Sequence, residues 1–146
     1  MQTNADKLQK FCCYQERSSW EVRRKMMQLK VPPQEAESLL QNLEAEGFVN
    51  DQRFTECYIR GKINSKRWGR MKILMGLRQH GIANEVIAEQ LQEIDDAKYK
   101  DNLQFLMDRW KQEHPGEAHE KMYRFLMAKG YSASEISQCA SNQLLP

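Results

Sequence analysis

A short turn pattern recurs three times along the chain, and this recurrence limits the possible folds more than any other feature. In its two clearest copies, Leu77–Ile82 and Leu126–Tyr131, an apolar residue opens the pattern, a glycine and an apolar residue close it, and a further apolar residue follows five positions later, at Ile87 and Ile136. Met26–Val31 repeats the pattern with a lysine in the glycine position. The glycine positions follow one another at intervals of 51 and 49 residues. A period near 50 residues indicates stacked copies of one supersecondary unit.

Between these turns the apolar residues follow a helical period, and the alternating β-branched runs typical of strands are absent. Two helix starts are marked by capping boxes, Ser18 with Glu21 and Ser132 with Glu135. We therefore predict an all-α fold with about nine helices, arranged as an elongated, curved array of three tandem three-helix repeats. The predicted repeats cover residues 1–48, 49–95 and 96–146, and the last helix is expected to fray over residues 143–146.

Sequence motifs for catalysis, cofactors or metals are absent. The seven glycines are scattered, and none forms a phosphate-binding loop. No serine nucleophile elbow or coherent pair of carboxylates is present. His80, His114 and His119 lack acidic partners at ligand spacing, and the four cysteines include no Cys-x-x-Cys pair. We expect buried apolar roles for the cysteines, no enzymatic activity, no cofactor and no metal site.

The chain also lacks the signals that direct a protein to a membrane. No apolar run approaches the roughly 18 residues that a membrane span needs. The first six residues are polar and include no apolar signal core. We therefore expect a cytoplasmic protein that does not contact a membrane. Since no coiled-coil seam is visible, we also expect a monomer.

Charge is segregated along the chain behind a net charge of only +2. From Cys57 to Asn84 there is no Asp or Glu, whereas acidic residues dominate from Glu85 to Asp96. Unneutralised cations pair with phosphates or with the acidic surface of a partner. We therefore predict a contact surface within the basic window, formed by Arg60, Lys62, Lys66, Arg67, Trp68, Arg70, Lys72 and Arg78.

A solvated helix face is the alternative interpretation of these cations. In that interpretation Trp68 simply fills the junction between two repeats. A second basic run, Arg23-Arg24-Lys25, follows Glu16 and Glu21 and is interpreted as a solvated face. The three-dimensional placement of the cations distinguishes a contact surface from a solvated face.

Over nearly its whole length the chain resembles the RecX family, bacterial regulatory proteins that modulate the recombinase RecA. The most specific part of the resemblance runs from Gly47 to Ile82. The chain departs from the family pattern at Lys30, where a glycine is usual, and at Thr55, where an alanine commonly follows the phenylalanine. The resemblance rests on Arg17-Ser18, Glu21, Leu39, Leu43, Gly47-Phe48-Val49-Asn50-Asp51, Arg53-Phe54, Tyr58, Gly69, Ile73, Leu77 and Gly81-Ile82.

The resemblance implies a curved array of three three-helix repeats. It also implies a regulator that lodges in the groove of the RecA–DNA filament and inhibits its recombinase and ATPase activities. The predicted partner is therefore the RecA filament, with DNA inside the filament as a further contact. Two alternatives stay open: a helix-turn-helix-like DNA-binding protein, and a general helical-repeat adaptor that binds peptides.

Overall fold

The computed structural model describes residues 1–143, which form nine α-helices and one π-helix and include no β-strand. The predicted all-α class is confirmed for these residues. Of the segment 143–146 that is predicted to fray, Gln143 is still helical, and residues 144–146 lie outside the described part of the chain. The α-helices are α1 (Asn4–Tyr14), α2 (Ser19–Gln28), α3 (Pro33–Ala45), α4 (Asp51–Gly61), α5 (Arg70–Gln79), α6 (Asn84–Gln92), α7 (Asp96–Glu113), α8 (His119–Ala128) and α9 (Ala133–Gln143), and the π-helix is Lys62–Lys66.

Both predicted capping boxes are formed. The Ser18 hydroxyl accepts the Glu21 backbone N–H at 3.1 Å, and the Glu21 carboxylate accepts the Ser18 N–H at 3.2 Å. The equivalent bonds between Ser132 and Glu135 measure 3.0 and 2.9 Å. Each box satisfies backbone donors that the first turn of a helix leaves without partners. These local bonds begin α2 and α9 at the positions that the sequence predicts.

The recurring sequence pattern corresponds to a recurring backbone turn. Its glycine-position residue is left-handed in each copy, with φ of 58° at Lys30, 76° at Gly81 and 107° at Gly130. The next residue then donates its N–H to a carbonyl five positions earlier, as in a Schellman motif. Lys30 adopts this conformation without being glycine, at a cost of about 1–2 kcal/mol. The three bonds run from Val31 to Met26, from Ile82 to Leu77 and from Tyr131 to Leu126, at 3.0, 3.1 and 3.2 Å.

The chain divides into two compact units, each assembled from separate stretches. The first consists of Met1–Tyr58 with Leu77–Gln90, and the second of Ile59–Gly76 with the chain from Leu91 onward. In the first unit α1 and α3 pack on α2; in the second α7, α8 and α9 pack on one another. The division into repeats 1–48, 49–95 and 96–146 stays a prediction. Buried side chains include Leu8, Val22, Met26, Leu40 and Leu43 in the first unit, and Leu103, Met107, Leu126 and Ile136 in the second.

The cysteines are only partly as predicted. Cys12 is buried, and burial raises the pKa of its thiol to about 11. Cys13 is exposed, so its predicted burial is wrong, because neighbouring residues on α1 point to different sides of the helix. Within residues 1–143, no three or more His, Cys, Asp or Glu side chains cluster closely enough to hold a metal ion. None of the helices in this part of the chain has the length and apolar character required to cross a membrane.

Candidate interaction surface

An irregular backbone carries the predicted basic segment. After α4 the chain continues into the π-helix Lys62–Lys66, which ends at Arg67 in the left-handed conformation, with φ of 54°. The Trp68 N–H donates to the Lys62 carbonyl at 3.2 Å across this turn. A left-handed residue other than glycine costs about 1–2 kcal/mol, and π-helical turns occur frequently at functional sites. The segment therefore has a distinctive backbone that surrounding contacts must stabilise.

Two buried polar side chains bind the backbone of this segment. Asn102 is 2% exposed, and its amide donates to the Ile63 carbonyl at 2.9 Å. The Tyr131 hydroxyl donates to the Arg67 carbonyl at 2.8 Å. Burial raises the pKa of Tyr131, so its hydroxyl remains a donor at neutral pH. The π-helix and the left-handed residue are thus each bonded to a side chain from α7 or from the turn before α9.

Gly69 is a third position at which hydrogen bonds hold the basic segment. Its N–H donates to the Lys129 carbonyl at 2.8 Å, and the Met71 N–H donates to the Gly130 carbonyl at 3.1 Å. A Cβ added at Gly69 would overlap the Gly130 backbone. Gly69 is therefore required by the close approach of two backbones, and not by a left-handed φ.

Trp68 lies between two lysines of the predicted contact set. The Nζ atoms of Lys62 and Lys72 are each 4.5 Å from the centroid of the indole ring. Trp68 is itself half-buried. These distances are within the range of cation–π attraction, which contributes about 0.5–1 kcal/mol at an exposed site. We call Lys62, Trp68 and Lys72 the Trp68 cluster.

The two arginines beside Trp68 also lie over aromatic rings. The guanidinium carbon of Arg67 is 3.9 Å from the centroid of Phe105, whose side chain is 43% exposed. Arg70 lies 3.9 Å over Tyr99 and 3.3 Å from a carboxylate oxygen of Glu135. Its backbone N–H also donates to the Tyr99 hydroxyl at 2.9 Å. Within residues 1–143 no carboxylate is within ion-pair distance of Arg67, whereas the charge of Arg70 is partly neutralised.

The remaining predicted contact residues differ in their surroundings. Arg60 and Lys66 are exposed, near the end of α4 and in the π-helix. Arg78 is exposed near the end of α5, and its Nε donates to the Asn84 side-chain oxygen at 3.3 Å. Arg78 belongs to the first compact unit, whereas the other seven predicted residues belong to the second. The structure therefore brings together Lys62, Trp68 and Lys72, and does not assign Arg78 to their unit.

Sequence reasoning missed the side chains that support this segment. Asn102 and Tyr131 are 39 and 64 residues from the carbonyls they bind. One signal was available for Asn102, which lies three residues after Tyr99 and four before Leu106 on the apolar side of α7. A polar residue in such a stripe indicates a buried hydrogen bond. No comparable signal identified Glu135, which already serves in a capping box.

Taken together, these features define an all-helical protein with a recurring helix-ending turn and a cluster of cations around a tryptophan. Residues 50–91 match the family model described as RecX, second three-helix domain. The regulatory protein RecX of Clostridium tetani is 36% identical over 104 residues, covering 67% of this chain and 47% of that protein. RecX of Oceanobacillus iheyensis is 27% identical over 131 residues, covering 87% and 48%. The chain spans about half the length of these curated relatives.

Solved structures agree at the level of the fold. The crystal structure of RecX from Lactobacillus salivarius matches with a TM-score of 0.89 over 97% of this chain and 95% of that chain, at 20% identity. A second crystal structure, of regulatory protein RecX, matches with a TM-score of 0.84 over 94% and 70%, also at 20% identity. The chain belongs to the RecX family of regulatory proteins.

Proposed function

We propose that this protein binds a RecA–DNA filament and inhibits its recombinase and ATPase activities. The Trp68 cluster, held on an irregular but hydrogen-bonded backbone, is the observation that carries the proposal. The protein acts as a binding regulator and not as an enzyme. The proposed contact residues are Arg60, Lys62, Lys66, Arg67, Trp68, Arg70, Lys72 and Arg78.

The anchored backbone supports this role because it lowers the entropic cost of binding. Asn102, Tyr131 and Gly69 hold the segment that carries the cations, so less freedom is lost when a partner is bound. Lys72 and Arg67 rest on aromatic rings, which fix their direction while leaving their charge available. Phosphates of the filament DNA or carboxylates on RecA would pair with these cations. The acidic stretch from Glu85 to Asp96 would face basic surfaces of RecA subunits.

The test measures RecA-catalysed strand exchange and ATP hydrolysis at increasing concentrations of this protein. We expect inhibition near one protein per filament binding site. We also expect the double variant Lys62→Gln/Lys72→Gln to need about tenfold more protein for half inhibition, equivalent to ~1.4 kcal/mol of binding free energy. Native protein that leaves both activities unchanged would contradict the proposed function.

The matched control is Lys100→Gln/Lys121→Gln, which removes two lysines from the same compact unit. These lysines are exposed, and each pairs with an acidic residue four positions earlier, Lys100 with Asp96 and Lys121 with Glu117. The control should inhibit like native protein. If both double variants inhibit like native protein, the filament contacts another surface. Sequence-specific duplex binding without RecA would instead favour the helix-turn-helix alternative.

A further inference from the structure

The first compact unit contains a groove whose lining includes none of the proposed filament contact residues. It lies between α1, α2 and the end of α5 and has a volume of about 470 Å³. Its lining includes two cations, two aromatic rings and two glutamine side chains. These residues are Phe11, Trp20, Arg24, Lys25, Gln28 and Gln79, and the lining is completed by Glu21 and His80, which contact each other at 3.3 Å.

The acidic residues before the basic run do not neutralise it. Glu16 accepts a hydrogen bond from the Arg53 side chain at 2.7 Å. The carboxylate of Glu21 is 3.7 Å from Arg17 and 3.3 Å from the His80 ring, and it also accepts the Ser18 N–H of the capping box. Both carboxylates are thus engaged by partners outside the run. Glu16 and Glu21 are therefore not the ion-pair partners of Arg23-Arg24-Lys25, in which Arg23 and Arg24 are exposed.

The three cations of the run differ from one another. Arg23 forms two hydrogen bonds with Glu37, at 2.9 and 3.2 Å, and does not line the groove. Arg24 and Lys25 line the groove, and no carboxylate of residues 1–143 lies within ion-pair distance of either. Two positive charges in the groove are therefore available to a ligand, whereas the charge beside them is already paired.

Aromatic rings hold both of these cations. The guanidinium carbon of Arg24 is 4.7 Å from the centroid of Trp20, and the Lys25 ammonium is 5.3 Å from that of Phe11. Trp20 remains 38% exposed. Trp20 packs against Gly81, where an added Cβ would overlap the Trp20 side chain. The groove therefore combines cations that lie over aromatic rings with an exposed part of the Trp20 ring.

We propose that this groove binds a single-stranded nucleic acid. Arg24 and Lys25 contact successive backbone phosphates, as cations do in grooves that follow a strand. Bases stack on the exposed part of Trp20 and on the outer face of the Arg24 guanidinium, since both offer planar surfaces. The exposed amides of Gln28 and Gln79 supply donors and acceptors for base edges.

Single strands fit these groups better than the other polyanions. A duplex keeps its bases stacked inside the helix, so the ring and the guanidinium plane would have no base face to contact. An acidic peptide would pair with the two cations but would leave the aromatic ring and the amides without a specific role. The inference goes beyond the proposed function because it requires no RecA.

The first test measures fluorescence anisotropy of a labelled oligothymidylate of about 15 nucleotides, near the upper site size of single-strand binding folds. Arg24→Gln/Lys25→Gln in the full chain should bind at least tenfold more weakly than native protein. Loss of two phosphate contacts should also reduce the slope of log affinity against log salt by about 1.4. Arg23→Gln, the adjacent arginine with a paired charge, should bind within twofold of native protein.

A second test distinguishes the contribution of base stacking on Trp20 from that of the positive charges. Trp20→Leu should weaken oligothymidylate binding by about fivefold or more, because stacking on an aromatic ring contributes at least that factor per base. It should leave binding of an abasic strand of equal length unchanged. Circular dichroism and thermal melting of each variant identify any loss that results from unfolding.

Three outcomes would overturn the inference. The first is absence of oligothymidylate binding by folded native protein. The second is equal binding by Arg24→Gln/Lys25→Gln and Arg23→Gln. The third is competition by polyglutamate as effective as that by unlabelled oligothymidylate, which would assign the groove to an acidic peptide. Because RecA is absent from every arm, none of these outcomes bears on filament inhibition.

Discussion

Two different features of the backbone favour glycine in this chain, a left-handed φ and a close approach by a neighbouring group. At Gly81 and Gly130 the backbone is left-handed, and Lys30 occupies the same conformation in the first copy of the turn. Gly69 differs, because its φ is not left-handed and only the lack of space next to Gly130 excludes a side chain there, whereas both constraints apply at Gly81 and Gly130. A glycine in the sequence therefore does not reveal by itself which of the two constraints applies.

The constraint at Gly69 predicts a contrast between two alanine substitutions. Gly69→Ala should lower the free energy of unfolding by about 1–3 kcal/mol, because the new methyl group forces two backbones apart. Gly61→Ala should raise it by about 0.5–1 kcal/mol, because nothing lies within 4 Å of its added Cβ and alanine favours a helix. Urea unfolding of both variants measures these changes. Equal stability of the two would contradict the close backbone approach.

At the scale of elements, the basic segment depends on side chains from α7 and from the turn before α9. Tyr99 illustrates this dependence: its hydroxyl accepts the Arg70 N–H, and its ring lies under the Arg70 guanidinium. It is 3% exposed, and burial raises its pKa from 10.0 to about 12. The folded protein therefore favours the neutral phenol, which links the stability of this region to pH.

The upward direction of the Tyr99 pKa shift predicts how the free energy of unfolding changes in alkaline solution. A raised pKa in the folded state stabilises the fold fully below the unfolded pKa near 10, and that stabilisation is lost as pH rises towards 12. Tyr99→Phe should remove part of this decline. Urea unfolding between pH 8 and pH 11 measures this decline in the free energy of unfolding. Tyr14→Phe is the control, because Tyr14 is 83% exposed. The same decline in native protein and in Tyr99→Phe would show that Tyr99 does not contribute.

At the scale of the whole molecule, each compact unit has its own buried apolar residues. A stable homodimer of this kind typically buries about 2,000 Å² or more of largely apolar surface. The large apolar side chains that are exposed within residues 1–143 are instead spread along the chain, from Met1 through Met27 and Met75 to Met127. The monomer stays a prediction from the sequence.

Sedimentation equilibrium tests the monomer directly. We expect a mass of 17.2 kDa that does not change with protein concentration. The measurement should be made at low and at moderate salt, because the charge segregation along the chain would favour electrostatic self-association at low salt. A mass near twice the monomer value at moderate salt would contradict the prediction.

The sequence alone determined the helices and the turns that end them. The capping boxes at Ser18 and Ser132 and the recurring turns at Lys30, Gly81 and Gly130 involve residues three to five positions apart. Interactions of this range leave a readable pattern in the sequence, because both partners lie on the same helical turn or at its end. The position of the basic segment was predictable for a similar reason, since a window without acidic residues can be seen directly.

The tertiary structure alone decided which partners the basic and acidic side chains contact. It assigned Glu16 to Arg53 and, among residues 1–143, left Arg24 without a carboxylate partner. It also brought Asn102 to Ile63 and Tyr131 to Arg67, across 39 and 64 residues. Partners at such separations have no fixed spacing, because they meet only through the packing of other helices. The helical turns are thus local properties of the chain, whereas the charges and hydrogen bonds of the candidate sites depend on the complete fold.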